Sequence, residues 1–377
     1  MVQTVFERSA IMFDWNSFKN VYSGKKVLIT GHTGFKGSWL TLWLSKLGAD
    51  ILGYSLEPPT SPNLFTILNL DKKIKHVIGD IRDEQKLLKV FQDFNPDIVF
   101  HLAAQPLVRF SYREPKLTYE TNIMGTVNLY EAARKTESVR AIVTITSDKC
   151  YENKEWIYGY RENDPMGGYD PYSSSKGCAE LITSAYRNSF FEKNGVAIAT
   201  VRAGNVIGGG DWAEDRLVPD CVRFLSAGKD IVIRNPNAIR PWQHVLEPLS
   251  GYLWLGALML SDKDKYNCAW NFGPNDNDVL TVGEVVELVI KYWGNGNYLV
   301  DSSKQPHEAK ILKLDAGKAH LLLNWMPAYN VYEAINKSID WYKAYYDGNV
   351  DMESYTIGQI EEYVGIAKNK KIKWSEV

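Results

Sequence analysis

Between Lys25 and Arg202 the chain alternates two hydrophobic periods. Short apolar, β-branched runs at Lys25–Thr30, Asp50–Tyr54, Lys75–Ile78, Asp97–Leu102, Ala141–Thr146 and Ala197–Arg202 read as strands. Segments with apolar residues at helical spacing stand between them, at Ser38–Leu47, Glu84–Phe94, Asn122–Lys135 and Ser173–Phe191. Strands apolar on both faces and alternating with helices predict a parallel sheet covered on both sides. The expected fold class is therefore α/β, a doubly wound parallel sheet of six or seven strands.

Past Asn205 the rhythm changes. Gly208-Gly209-Gly210 is followed by a helical pattern at Leu217–Ala227, a short strand at Asp230–Arg234 and helical patterns at Val282–Tyr292 and Val331–Tyr345. These predict a smaller C-terminal α/β domain for the substrate. The expected boundaries are 14–204 for the dinucleotide-binding Rossmann domain and 205–358 for most of the substrate domain, with crossover segments allowed. Residues 1–13 and 359–377 read as terminal extensions, and the basic run Lys368–Lys373 as a solvated tail.

Composition narrows the partners. Forty-three Lys and Arg against 45 Asp and Glu leave a formal charge of −2 over 377 residues, which argues against nucleic acid or an anionic membrane as partner. The longest apolar stretch, around Leu249–Leu260, is shorter than the roughly 20 residues a bilayer span needs. MVQTVFERSA lacks the pattern of a signal peptide, so a cytoplasmic location is expected. Cys150, Cys178, Cys221 and Cys268 lie far apart, and no two of the six histidines are three to five residues apart, so reduced thiols and no metal are expected.

The segment Gly31-His32-Thr33-Gly34-Phe35-Lys36-Gly37 joins the first strand to the first helix. Its glycines let backbone N–H groups and the positive helix end approach a pyrophosphate. Glu57, just past the second strand, suits a ribose hydroxyl and hence NAD, although it comes late. Lys36 and His32 would instead suit a 2′-phosphate. Gly79-Asp80-Ile81 after the third strand suits an adenine edge. Tyr172 and Lys176 stand four apart at a helix start, so the ammonium can ease ionisation of the phenol. That spacing is common on solvated helices, and its place after the fifth strand gives it weight. The same strand ends Ser147-Asp148-Lys149, at the sheet edge where doubly wound proteins bind ligands.

With GHTGFKG at Gly31, GDIRD at Gly79, HLAAQPLVRFSYREP at His101, TNIMGT at Thr121, SDKCY at Ser147, YDPYSSSKGCAE at Tyr169, VRAGNVIGGGDW at Val201 and RPWQHV at Arg240, the chain resembles the extended short-chain dehydrogenase/reductases that act on nucleotide sugars. Within them it is most similar to the CDP-D-glucose 4,6-dehydratase subgroup, chiefly through Ser147-Asp148-Lys149 and GGGDW. The resemblance covers roughly Trp15 to Tyr345.

It implies NAD as cofactor, CDP-D-glucose as substrate and a 4-keto-6-deoxy sugar as product. Tyr172, with Ser147 and Lys176, would take the O4 proton, and Asp148 would protonate the departing C6 hydroxyl. Lys149 stands where dTDP-glucose dehydratases carry Glu, as the C5 base or as an electrostatic partner of the enolate. Gly31, Thr33, Gly34, Phe35, Lys36, Gly37, Asp80, Ile81, Ala103, Ala104, Tyr172, Lys176 and Arg202 would hold the cofactor. Asn205 and Arg240 would hold the diphosphate, His307 and Glu308 the nucleotide ribose, and Arg109, Ser111 and Asn122 the sugar or its water. A homodimer through the helices at Asn122 and Ser173 is implied too. A 4-epimerase would need no acid and base for the C6 hydroxyl, and a dinucleotide sensor would not need Tyr172 with Lys176.

Overall fold

The computed structural model describes residues 13–275, 278–301 and 311–376. Among the described residues thirteen strands are formed: β1 Lys26–Thr30, β2 Asp50–Ser55, β3 Lys75–Ile78, β4 Ile98–His101, β5 Ala141–Ile145, β6 Ala197–Arg202, β7 Val206–Ile207, β8 Ile231–Ile233, β9 Ile239–Pro241, β10 Gln243–His244, β11 Ala269–Asn271, β12 Val279–Thr281 and β13 Tyr298–Val300. Seven of them make one sheet in the order β11-β6-β5-β4-β1-β2-β3, every pair parallel. The order reverses between β1 and β4, the place where open α/β sheets leave a crevice at their carboxyl edge.

β5 and β6 are buried along their whole length, as their unbroken apolar runs predict. One face of the sheet packs on the helices Glu84–Phe94 and Gly125–Arg134 through Leu87, Phe91, Leu129 and Tyr130. The other face meets a larger core that includes Trp39, Trp43, Leu253 and Trp270. The segment read as the longest apolar stretch is a buried helix, Leu246–Ser261, that packs against β5 and β6. It is apolar all round because the sheet and later helices enclose it. No helix among the described residues is long and apolar enough to cross a membrane.

The later chain builds short pairs, β7 with β10, β8 with β13 and β9 with β12, around the helices Leu217–Ser226, Val282–Trp293 and Val331–Asp347. β11 returns to the edge of the main sheet.

The C-terminal extension expected at 359–377 is instead part of the core. Met352–Asn369 is a helix that buries Ile360, Tyr363, Val364 and Ala367. Beyond it Trp374 is fully buried, stacked on Phe18 at 5.1 Å and on Tyr363 at 5.6 Å. The supposed solvated run Lys368–Lys373 buries Ile372, and the Lys370 ammonium donates to the Ala328 carbonyl at 2.6 Å. The leader expected at 1–13 lies, except for Phe13, outside the described residues.

Candidate active site

The first helix begins at Phe35 with Gly34 as its N-cap. No side chain caps it and no acid stands in its first turn, so its leading N–H groups face the crevice unsatisfied. The loop before it is closed against its surroundings. Gly31 has a φ of +79°, and a Cβ there would stand 2.7 Å from the Ala103 nitrogen, while one on Gly37 would stand 2.1 Å from the Gly31 carbonyl oxygen. Only hydrogen fits at either place. Together with Ala103, Ala104, Asp80 and Ile81 in the same wall, this cradle fits a dinucleotide.

The crevice opens into one cavity of about 1870 Å³ that runs from the glycine loop across the carboxyl ends of β4 and β5 to β8 and β9. It has room for a cofactor and a nucleotide sugar together. Thr33, Phe35, Lys36, Ser147, Asp148, Lys149, Tyr172 and Lys176 all line it, as do Arg109, Asn205 and Arg240.

Tyr172 and Lys176 share one face of the helix Pro171–Tyr186. The start of that helix is fixed by Asp170, whose carboxylate accepts from the Ser173 N–H at 2.9 Å, and by Pro171 at the first position. Burial pushes the Tyr172 phenol up to about 12, an effect opposed by the Ser147 hydroxyl beside it. Burial pulls the Lys176 ammonium down to about 8 against the raising field of Glu180. Lys176 donates to the Ile145 carbonyl at 3.2 Å, which ties the helix to the end of β5.

At the end of β5 a short 3-10 turn, Asp148–Cys150, starts from Ser147, whose hydroxyl accepts from the Lys149 N–H. The Ser147 hydroxyl donates to Asp148 Oδ1 at 2.9 Å, and the Lys149 ammonium donates to the same oxygen at 3.3 Å. Asp148 is 1% exposed and its Oδ2 has no partner among the described residues; Lys149 is 30% exposed. A carboxyl and an amine thus meet beside the phenol, the set an acid–base elimination next to a carbonyl requires.

Toward β8 the cavity is rich in guanidinium groups. Arg216 pairs with Asp211 at 2.7 Å, and Asp215 stands between Arg234 at 3.1 Å and Arg109 at 3.6 Å. The Asn205 Nδ2 has no partner among the described residues. This end suits a diphosphate.

Several expected site residues stand elsewhere. Arg202 lies outside the cavity wall, 4% exposed, with Nε and Nη2 bound to Glu180 at 2.9 and 2.8 Å and Nη1 bound to the Tyr151 hydroxyl at 2.6 Å. A buried guanidinium needs such a counter-charge, so this residue ties β6 to the helix below Lys176 and does not reach a cofactor. Ser111 is fully buried; its hydroxyl accepts from the Tyr172 N–H at 3.2 Å and donates to the Val108 carbonyl. Asn122, 2% exposed, bonds Gln105 and the Ser175 hydroxyl. Both brace the helix that carries Tyr172, and neither lines the cavity. The His32 ring turns away from the loop into a pocket of Phe65 and His76, and burial holds it down at about 3, so it offers no charge to a 2′-phosphate.

Lys36 points into the catalytic end, its ammonium 5.8 Å from the Tyr252 ring, and burial with the nearby Arg216 pulls it down to about 7. Arg216 and Arg234 were not foreseen, because a lone arginine at the edge of an element carries no periodic signal. His307 and Glu308 lie outside the described residues.

Residues 28–338 match the family model described as GDP-mannose 4,6 dehydratase. The chain is 52% identical over 352 residues to a CDP-glucose 4,6-dehydratase of Salmonella typhimurium, covering 92% of this chain and 98% of that protein. It is 26% identical over 344 residues to a dTDP-glucose 4,6-dehydratase of the same organism, covering 85% and 93%. A solved dTDP-glucose 4,6-dehydratase from Streptomyces venezuelae, with NAD and TYD bound, superposes with a TM-score of 0.73 at 22% identity, covering 84% of this chain and 97% of that one. A UDP-glucose 4-epimerase from Thermotoga maritima with UDP-glucose gives 0.74 at 22%, covering 85% and 99%, so dehydratases and epimerases share this fold. On the span of the family match and the identity to the Salmonella protein, the chain belongs to the GDP-mannose 4,6 dehydratase family.

Proposed function

We propose that this protein catalyses the NAD-dependent 4,6-dehydration of CDP-D-glucose to the 4-keto-6-deoxy sugar. The observation that carries the reaction is the placing of Asp148 and Lys149 against each other beside Tyr172 in the cavity that holds the glycine loop. The cytidine nucleotide rests on the 52% identity to the Salmonella enzyme.

When bound, NAD supplies the hydride acceptor for C4 and returns the hydride at C6. Tyr172 takes the proton from the O4 hydroxyl. Burial holds its phenol high, near 12, and the Ser147 hydroxyl and the Arg216 guanidinium work in the direction that phenolate formation requires. The C4 ketone makes the C5 hydrogen acidic. Asp148, buried at the end of β5, protonates the leaving C6 hydroxyl, and Lys149, 3.3 Å from it, takes the C5 hydrogen or steadies the enolate that forms, and water leaves. Arg240, Arg216, Arg234 and Asn205 hold the diphosphate.

The protein acts as a homodimer. Exposed Met124 and Leu181, at 50% and 61%, lie on the packed segments Glu120–Met124 and Pro171–Tyr186 and supply an apolar surface for the partner's same face.

The assignment is tested with Asp148→Asn. In a single turnover with CDP-D-glucose the variant is expected to reduce NAD and then stall, so that reduced nicotinamide absorbance accumulates. A variant that dehydrates at the parent rate, or that never reduces NAD, removes Asp148 from the elimination. A sugar inverted at C4 with no water lost would make the protein an epimerase.

A further inference from the structure

We infer that Gly204 is a positioning residue for the elimination, keeping open the space in which the Asp148 carboxylate stands; this rests on the role proposed for Asp148. A Cβ built on Gly204 falls 2.2 Å from Asp148 Oδ2 and 2.7 Å from its Cγ. Contact between such atoms needs about 3.5 Å. Gly204 has no other call on being glycine, because its φ lies outside the left-handed region that only glycine enters freely. The requirement is one of room, and the room is filled by one carboxylate.

Neither side can yield cheaply. The Gly204 carbonyl accepts from Gln243 Nε2 at 3.2 Å, the next residue's carbonyl accepts from the Gln243 N–H at 3.3 Å, and Gln243 is itself buried and bonded to the Phe272 carbonyl. On the other side Asp148 is 1% exposed and its Oδ1 is held by Ser147 and Lys149. A methyl group at 204 must therefore swing the carboxylate and take Oδ1 off one or both partners. That moves the acid from its place beside Lys149, while the glycine loop, Tyr172 and Lys176 keep their places. The inference predicts damage chiefly to the elimination.

The experiment is a double-mutant cycle of Gly204→Ala with Asp148→Ala, read by steady-state turnover, single-turnover reduction of NAD, NAD affinity and thermal unfolding. An ångström of displacement of a reacting group costs on the order of 10²-fold. Gly204→Ala is expected to slow water loss by about that factor and to leave reduced nicotinamide accumulating, with NAD affinity unchanged within about twofold. In the Asp148→Ala background the space is vacant, and the same change is expected to cost less than about twofold. An equal loss in both backgrounds, or a fall in NAD affinity or melting temperature that matches the loss of turnover, would mean that Gly204 acts through the fold and would overturn the inference. Parent-level turnover in Asp148→Ala alone would overturn the acid assignment first, and this inference with it.

Discussion

Changing Glu180 to Gln keeps the shape of a buried side chain and removes its charge beneath Lys176. Glu180 accepts from Arg202 at 2.9 and 2.8 Å, from the Thr146 hydroxyl at 2.5 Å and from the Thr200 hydroxyl at 2.6 Å. Burial opposes its ionisation, and the Arg202 guanidinium overcomes that opposition to hold the carboxyl below its ordinary range. A glutamine amide cannot accept on its nitrogen side, so two donors lose their acceptor and Arg202 keeps a charge without a partner.

Removing one member of such a pair costs about 3–5 kcal/mol. At roughly 2.1 cal/mol/K of unfolding entropy per residue, this chain has an unfolding entropy near 0.8 kcal/mol/K, so the melting temperature should fall by about 4–6 °C. Calorimetry reads that shift, and the double change Glu180→Leu with Arg202→Met should recover most of it because no charge is left behind. Since Arg202 stands outside the cavity, NAD titrated well below the melting point should bind Arg202→Met within about threefold of the parent. A melting temperature lowered by less than about 1 °C, or NAD affinity lost tenfold at unchanged stability, would refute the reasoning and make Arg202 a cofactor residue.

Three other consequences can be checked. Trp374→Ala removes an indole stacked between Phe18 and Tyr363 and should cost about 3–5 kcal/mol in urea unfolding, where a loose tail would cost nothing measurable. Lys176, drawn down to about 8, is charged below that pH and loses its proton above it, so kcat/KM should fall on the alkaline side through pH 8; a profile flat to pH 9.5 would deny the ammonium its part. Leu181→Glu places a charge on the proposed dimer face and should shift sedimentation at micromolar concentration toward the monomer, and an unchanged mass would place any interface elsewhere.

Six of the seven strands of the sheet were legible because short apolar runs alternate with helical segments, whereas the three-residue β11 is too short to carry such a signal. Tyr172, Lys176 and the Ser147–Lys149 turn were legible because the ends of parallel strands have a fixed chemical meaning. The C-terminal helix was not. Its buried Tyr363 and Ile360 stand among Glu361, Glu362 and Lys368, and Tyr363 packs on Trp43, more than 300 residues earlier. Arg202, Ser111 and Asn122 were misplaced for a related reason. A polar residue near a site can face the ligand or the helix that carries the ligand's partner, and only the register of packed elements decides which. His32 shows the same limit inside the glycine loop itself, where the backbone belongs to the cradle and the ring to the core.

The central claim is a loss of water from a cytidine nucleotide sugar within a closed redox cycle. It is met most directly by incubating the protein with NAD and CDP-D-glucose in deuterated water and weighing the product by mass spectrometry. The account predicts a product lighter by one water, carrying one deuterium taken up at C5 from solvent, with the cofactor still oxidised at the end. A product of unchanged sugar mass, or one equivalent of reduced nicotinamide for every sugar consumed, would contradict it.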